Sequence, residues 1–290
     1  MTGSGKGANL GALNSVLQHV LERGWDIFDA FWLATVVFCG IAVLTKRYAV
    51  FSAMKAVLPE LKTNIGLLIA NSIVFAPLFI ISGDYVHGLV NSPAPLIEFW
   101  ANQAGIVQLI SALLLIEFCA YWRHRLLHTI VLWPAHATHH SDETLHWFSA
   151  IRKHPFERLI TVLIDGSFAI LIGLPLGAIA LAGLARTWWG FFIHSDVDWT
   201  LGPIGVIMIS PPAHRLHHIR DERLMGSNFG NTITLWDRIF GTYVDPSPYL
   251  KCETGIAEGS RSVWGELARP FERQYWSHSR LNPYSGPEVG

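Results

Sequence analysis

Eight histidines crowd into three five-residue groups: HRLLH at 124–128, HATHH at 136–140 and HRLHH at 214–218. His194 stands alone between the last two groups. All of them lie in or beside long apolar runs. A cluster of imidazoles gains little as core packing, because every ring brings two nitrogens that need partners. Imidazole is also a strong ligand for first-row transition metals. A chain with this pattern has to fold so that distant segments bring their rings together around cations, beside a lipid-facing body.

The chain has 290 residues, 51% of them hydrophobic and only 15% charged. A soluble domain carries about one quarter charged residues, so the charge deficit indicates a helical membrane protein. The net charge of −1, with no long basic tract, excludes a general affinity for nucleic acid. Cys39, Cys119 and Cys252 are too few and too scattered for a disulfide framework or a sulfur-ligated metal. The first two dozen residues lack the sustained apolar core of a secretory signal. A weakly amphipathic surface helix is expected from about Leu13 to Arg23.

Apolar runs predict spans at about Ile27–Thr45, Ile65–Ser82 and Ile106–Tyr121, each near the length of a hydrocarbon core. The longer segment Leu159–Ile193 is interrupted by Gly173, Pro175 and Gly177. It is read as two short helices forming a hairpin in the membrane, or alternatively as one span continuing into an interfacial helix. The fold class is therefore all-α: about three spans, a re-entrant or hairpin segment, and a histidine-rich helical cap. Lys46, Arg47, Lys55 and Lys62 place the 46–62 connector, and with it the histidine groups, in the cytoplasm. Three regions are expected: an anchoring part at 1–104, a catalytic part at 105–245, and a polar cytoplasmic tail at 246–290.

His124 and His128 are offset by about 40° on a helix, so both rings face one way. His136, His139 and His140, and likewise His214, His217 and His218, stand at i, i+3 and i+4, where one helical face is expected to collect each triad. Pro211 and Pro212 are placed to start the last of these helices. Glu117 extends the His124–His128 stripe backwards into a span, where a carboxylate is expensive. It either orients a ring, binds metal, or pairs with an arginine. Asp198, His146 and His154 are candidates for supporting the ligands from outside. Isolated rings such as His19, His87 and His278 read as ordinary interfacial or core residues. One structural zinc needs four ligands, so nine rings suffice for two metals with positions left open for oxygen or water. There is no HExxH, and the single ExxH is Glu143–His146. A mostly nitrogen shell suits oxygen activation by iron. A membrane zinc hydrolase acting on a lipid ester or amide and a metal transporter remain as alternatives.

The order HRLLH, HATHH, HRLHH resembles the fatty acid hydroxylase/sterol desaturase superfamily. So do its surroundings, LWPAHATHHSDE, IRKHPFE, FFIHSD, SPPAHRLHHIRD and SNFGNTITLWDRIFGTY. The similarity covers roughly residues 105–245. It implies an integral membrane di-iron enzyme that takes oxygen as co-substrate and two electrons from a ferredoxin, cytochrome or reductase, with NAD(P)H acting only through that partner. It also implies a lipid substrate, and residence in a bacterial inner membrane or the endoplasmic reticulum. Carried over by position, the iron ligands would be His124, His128, His136, His139, His140, His194, His214, His217 and His218. His154 would take a structural place in RKHP, and Asn228, Trp236, Asp237, Arg238 and Gly241 would brace the third box. Phe229 departs from a usual tyrosine, while His146 and Asp196 stand where asparagine is common. Hydroxylation of an unactivated C–H bond is the first expectation, and desaturation within the same class is the second.

Overall fold

The computed structural model describes residues 4–276. The tail beyond 276, with His278, lies outside them, and so do the side chains of the expected surface helix at 13–21 and 23, His19 included. The first helix, α1, runs over Ser4–Lys46 and ends where Arg47 takes a left-handed φ of 50°. Next come α2 (Val50–Ile69), a wide turn at Ala70–Val74 and α3 (Ala76–Gly88). After them lie α4 (Ala94–Ala101), α5 (Gly105–Leu127) and α6 (Trp133–His140). The remaining helices are α7 (Pro155–Leu171), α8 (Leu176–Ile193), α9 (Pro211–His217), α10 (Leu235–Ile239) and α11 (Val263–Ala268). The described residues contain no strand, only the isolated bridges Met208–Ile233 and Ile219–Thr254.

Three stretches are long and apolar enough to cross a membrane: Ile27–Val74, Gly105–Leu127 and Leu176–Ile193. At 1.5 Å per residue, the 23 residues of α5 reach about 35 Å, enough for a hydrocarbon core of about 30 Å. Their large side chains, among them Val36, Leu44, Ile106 and Leu184, stay exposed, as lipid-facing residues do. The stretch expected as a second span, Ile65–Ser82, is not one straight helix. The Phe75 N–H reaches back five residues to the Ala70 carbonyl, which widens the helix there. Pro77 then starts α3, because its ring cannot continue the preceding turn.

The break in the 159–193 segment separates α7 from α8, with Gly173 at φ 64° supplying the left-handed turn. Gly177 lies inside α8 and has no part in it. The Trp100 indole N–H donates to the Ile172 carbonyl at 2.7 Å, satisfying the end of α7. Helices α5 and α8 pack closely through Ala112, Ala178 and Ala182, small residues that let backbones approach in the absence of a hydrophobic driving force. Gly166 of α7 admits the His87 ring of α3, since a Cβ there would sit 2.2 Å from His87 Nε2. The C-terminal end of α5, the N-terminal end of α7 and the C-terminal end of α8 meet at one end of the bundle. Helices α6 and α9 lie across that end and form the cap.

Residues 247–276 fold onto the cap. Tyr275 joins Ala137, Leu216, Ile219, Met225 and Ile256 in one buried cluster. Glu266 and Arg269 are fully buried and paired with each other. Part of the polar composition in this stretch serves an internal ion-pair network, while Lys251 and Glu253 stay exposed.

Candidate metal centre

The nine rings converge, and they do so as two sets. His124, His128, His136, His140 and His217 form one; His139, His194, His214 and His218 form the other. Within each set the candidate ligand atoms lie within 4.8 Å of one another. The sets abut, with the His140 and His218 rings stacked 4.3 Å apart. Each triad is divided between them. Residues 136 and 140 go to one set and 139 to the other; 214 and 218 go to one and 217 to the other. The expectation that one helical face collects all three is corrected here. Positions i+3 and i+4 differ by about 100° around a helix, and buried between two centres that angle aims the rings at different points.

The tautomers are set from outside. Nδ1 of His124 faces the Phe229 carbonyl at 2.8 Å, that of His139 the Arg152 carbonyl at 3.1 Å, and that of His194 the Gly190 carbonyl at 2.6 Å. Nδ1 of His217 faces the Ser227 carbonyl at 2.7 Å, and that of His136 the Glu157 carboxylate at 3.1 Å. A carbonyl or carboxylate can only accept, so these five rings carry their proton on Nδ1 and leave the Nε2 lone pair inward. Nε2 of His124, His136 and His217 is buried with no hydrogen-bond partner. Buried polar atoms are rarely left so. His194 Nε2 lies 3.4 Å from His139 Nε2 and 3.1 Å from His214 Nε2. Two nitrogens on one metal at about 2.1 Å are about 3.0–3.4 Å apart, so the donor set fits a transition metal ion.

Burial pushes the imidazoles of the cap down, to about 3 for His194 and His217 and well below the ordinary value for His128, His139, His140, His214 and His218. The rings are therefore neutral at pH 7 and present lone pairs without competition from protons. Glu157 is a carboxylate bonded to a ring of the five-histidine set, His136. Burial raises its pKa, but Lys153 and then His136 outweigh that and bring it down to about 2.

The supporting residues expected from the sequence make other contacts. Glu117 accepts from Arg186 Nε, the Asn231 and Thr232 amides and the Thr232 hydroxyl. None of these partners is a histidine. The span forces this carboxylate to find an arginine, and its work is to join α5, α8 and the 230–232 loop. Asp198 pairs with Arg215 and Lys251 at the cap surface, because Arg215 points away from the rings of its own box. His146 closes the turn at Trp147–Ile151 against Ser149. His154 caps α7 by accepting from the Phe156 amide, and its Nε2 meets the Leu267 carbonyl at 3.2 Å.

Two supporting residues were not singled out from the sequence. Glu157 has a visible signal, a carboxylate one turn into an apolar helix. Arg152 is fully buried and makes six hydrogen bonds. The closing segment acts through Asp237, which accepts from the Phe229 and Gly230 amides and the Thr242 hydroxyl, so fixing the loop whose Phe229 carbonyl orients His124. Asn228, at φ 53°, donates to the Ala213 carbonyl of α9 and the Val244 carbonyl. The segment thus braces the first histidine group as well as the third.

A cavity of about 700 Å³ reaches from the rings between α1, α3, α5, α7 and α8, with Ile27, Phe31, Phe79 and Val162 among its walls.

Residues 109–242 match the model of the fatty acid hydroxylase family. Among curated proteins, the chain is 30% identical to an ornithine lipid hydroxylase of Rhizobium tropici over 180 residues, 61% of this chain and 54% of that protein. It is 32% identical to the alkylglycerol monooxygenase of Homo sapiens over 134 residues, 46% of this chain and 30% of that one. It is 26% identical to a Delta(7)-sterol 5(6)-desaturase of Candida albicans over 157 residues, 52% and 38% of the two. The chain thus spans about half the length, or less, of these relatives. No solved structure matches it.

Proposed function

We propose that this chain, whose residues 109–242 match the fatty acid hydroxylase family, is a membrane lipid oxygenase of that superfamily. It inserts one oxygen atom into an unactivated C–H bond: RH + O₂ + 2e⁻ + 2H⁺ gives ROH + H₂O. His124, His128, His136, His140 and His217 hold one iron, and His139, His194, His214 and His218 hold the second. The bound iron pair supplies the reduction of oxygen that makes C–H oxidation possible. The protein's own part is to fix the rings through their Nδ1 contacts and to seat an apolar chain in the cavity away from water. The observation that carries this reading is the set of buried Nε2 atoms aimed inward at ligand spacing while their Nδ1 atoms are tied to oxygen acceptors.

The electrons come from a redox partner, a ferredoxin, cytochrome or reductase. The histidine end faces the cytoplasm. Support comes from Lys46, at the end of the first span in the basic connector, which pairs with Asp196 two residues after His194. Desaturation is the second reading, favoured by the sterol desaturase relative. The test is metal analysis of purified protein together with lipid mass spectrometry of cells supplying a reductase. Two irons per chain and an oxygen-dependent +16 product, both reduced in His139→Ala, are expected; a −2 product selects desaturation. Activity with zinc under anaerobic conditions would overturn the proposal.

A further inference from the structure

Four cations line the cavity: Arg123, Lys153, Arg158 and Arg186. Three of them have a carboxylate partner. Arg123 meets Asp165 through two nitrogens, at 2.7 and 3.1 Å. Arg186 pairs with Glu117, and Lys153 lies 3.3 Å from Glu157. The Arg158 guanidinium has neither a hydrogen bond nor an ion pair among the described residues. Glu157 and Asp165 act on it only from a distance, and Arg123 opposes them. Residues 157, 158, 161, 162 and 165 of α7 all line the cavity, and at 100° per residue they share one helical face, so Arg158, itself exposed, lies on the cavity side of the helix. Asn71 also lines the cavity, and its Oδ1 is buried without a hydrogen-bond partner.

An unpaired charge beside apolar walls in a membrane-embedded body is costly, and such cations mark the paths of charged ligands. A guanidinium suits the planar oxygens of a carboxylate or the oxygens of a phosphate. The geometry points to Arg158 as the residue that receives the anionic head, a carboxylate or a phosphate, of the amphiphile bound in this cavity. This rests on the reading of the cavity as the lipid site of an oxygenase. Arg158 is a specificity residue: it holds the head while Ile27, Phe79 and Val162 contact the chain.

The experiment measures binding by the full chain in a neutral maltoside detergent at pH 8, without turnover. The probes are radiolabelled hexadecyl phosphate, hexadecanoate and hexadecanol. At least one anion is expected to bind about ten- to a hundredfold more tightly than the alcohol. The anion that wins identifies the head as phosphate or carboxylate. Arg158→Gln should abolish that preference while leaving hexadecanol binding unchanged, and Arg158→Lys should retain part of it. Equal binding of all three probes by the unaltered protein overturns the proposal. So does a preference that survives Arg158→Gln, or inorganic phosphate competing as well as the hexadecyl form. Turnover is assayed separately. Anion preference without any oxygen-dependent product sinks the oxygenase reading and leaves the head-group site. Product formation whose lipid selectivity is untouched by Arg158→Gln does the reverse.

Discussion

Arg152→Met should loosen the cap from the membrane body. The guanidinium donates to the Thr138 carbonyl and the Ser141 hydroxyl of the α6 segment, to Glu60 and Asn64 of α2, and to Ser260 and Glu266 of the C-terminal stretch, at 2.7–3.0 Å. Its own carbonyl faces His139 Nδ1. One side chain therefore ties three separate parts of the chain together at the foot of the histidine centre. Methionine fills much of the volume and supplies no donor. Glu266 keeps Arg269, so the burden falls on Glu60, left with the Ser260 hydroxyl. Removing one partner of a buried ion pair costs about 3–5 kcal/mol. For a chain of this size that lowers the melting temperature by about 6–20 °C.

The assay is thermal unfolding in detergent, followed by size exclusion, with metal content read on the folded fraction. Arg152→Lys keeps the charge but not the fork, and should fall between. The companion is Glu60→Gln, which removes the carboxylate that the arginine neutralises. In the double variant the losses should be less than additive by about 1–3 kcal/mol, because the stranded charge is gone. A melting temperature for Arg152→Met within about 2 °C of the unaltered protein, or strict additivity with Glu60→Gln, would refute the reasoning.

Glu157→Gln removes the charged acceptor of His136, and iron at the five-histidine set should weaken about 10–100-fold in chelator competition. Gly230→Ala places a Cβ 2.4 Å from the Ile233 carbonyl oxygen, so it should lower stability by about 1–3 kcal/mol and reduce metal loading by shifting the Phe229 carbonyl. The depressed histidines set a pH dependence for the metal-free protein. His194 and His217 titrate near 3 when folded and near the ordinary 6.5 when unfolded, so the unfolded chain binds more protons between those values. Stability is then full above about pH 6.5 and is lost as pH falls toward 3. A melting temperature that stays flat from pH 7 to pH 4 would contradict the burial of these rings.

Much of the frame was legible in the sequence because its signals are local. The first span, α5, and the break before Pro175 follow from hydropathy and from one glycine and one proline. The histidine groups announce themselves by spacing. What stayed hidden depends on distance. Helical periodicity says that positions 136, 139 and 140 are neighbours, but not that two centres lie close enough to divide them by a 100° difference. Glu117 extends the stripe of His124 and His128, which left ligand support and pairing with an arginine both open. Its partner, Arg186, is 69 residues away, and no spacing rule links them. The carboxylate that does bond a ring, Glu157, sits across the cap on α7. Within 247–276 the sequence does not show which charges pair inside: Glu266 and Arg269 are completely buried, while Lys251 and Glu253 stay exposed.

That arrangement also bears on what the centre can hold. Nine imidazole rings bring lone pairs but no negative charge, so a divalent ion among them keeps its positive charge unless something nearby offsets it. Glu157 does so at the five-histidine set, through His136. The four-histidine set is anchored by carbonyls, at Arg152 and Gly190. A carboxylate makes its imidazole a stronger donor than a carbonyl does, so the two positions are chemically unequal. If both bind iron, the five-histidine position should retain its ion longer under a chelator, and Glu157→Gln should bring the two release rates together. Equal rates in the unaltered protein would mean that the asymmetry in hydrogen bonding has no consequence for the metals.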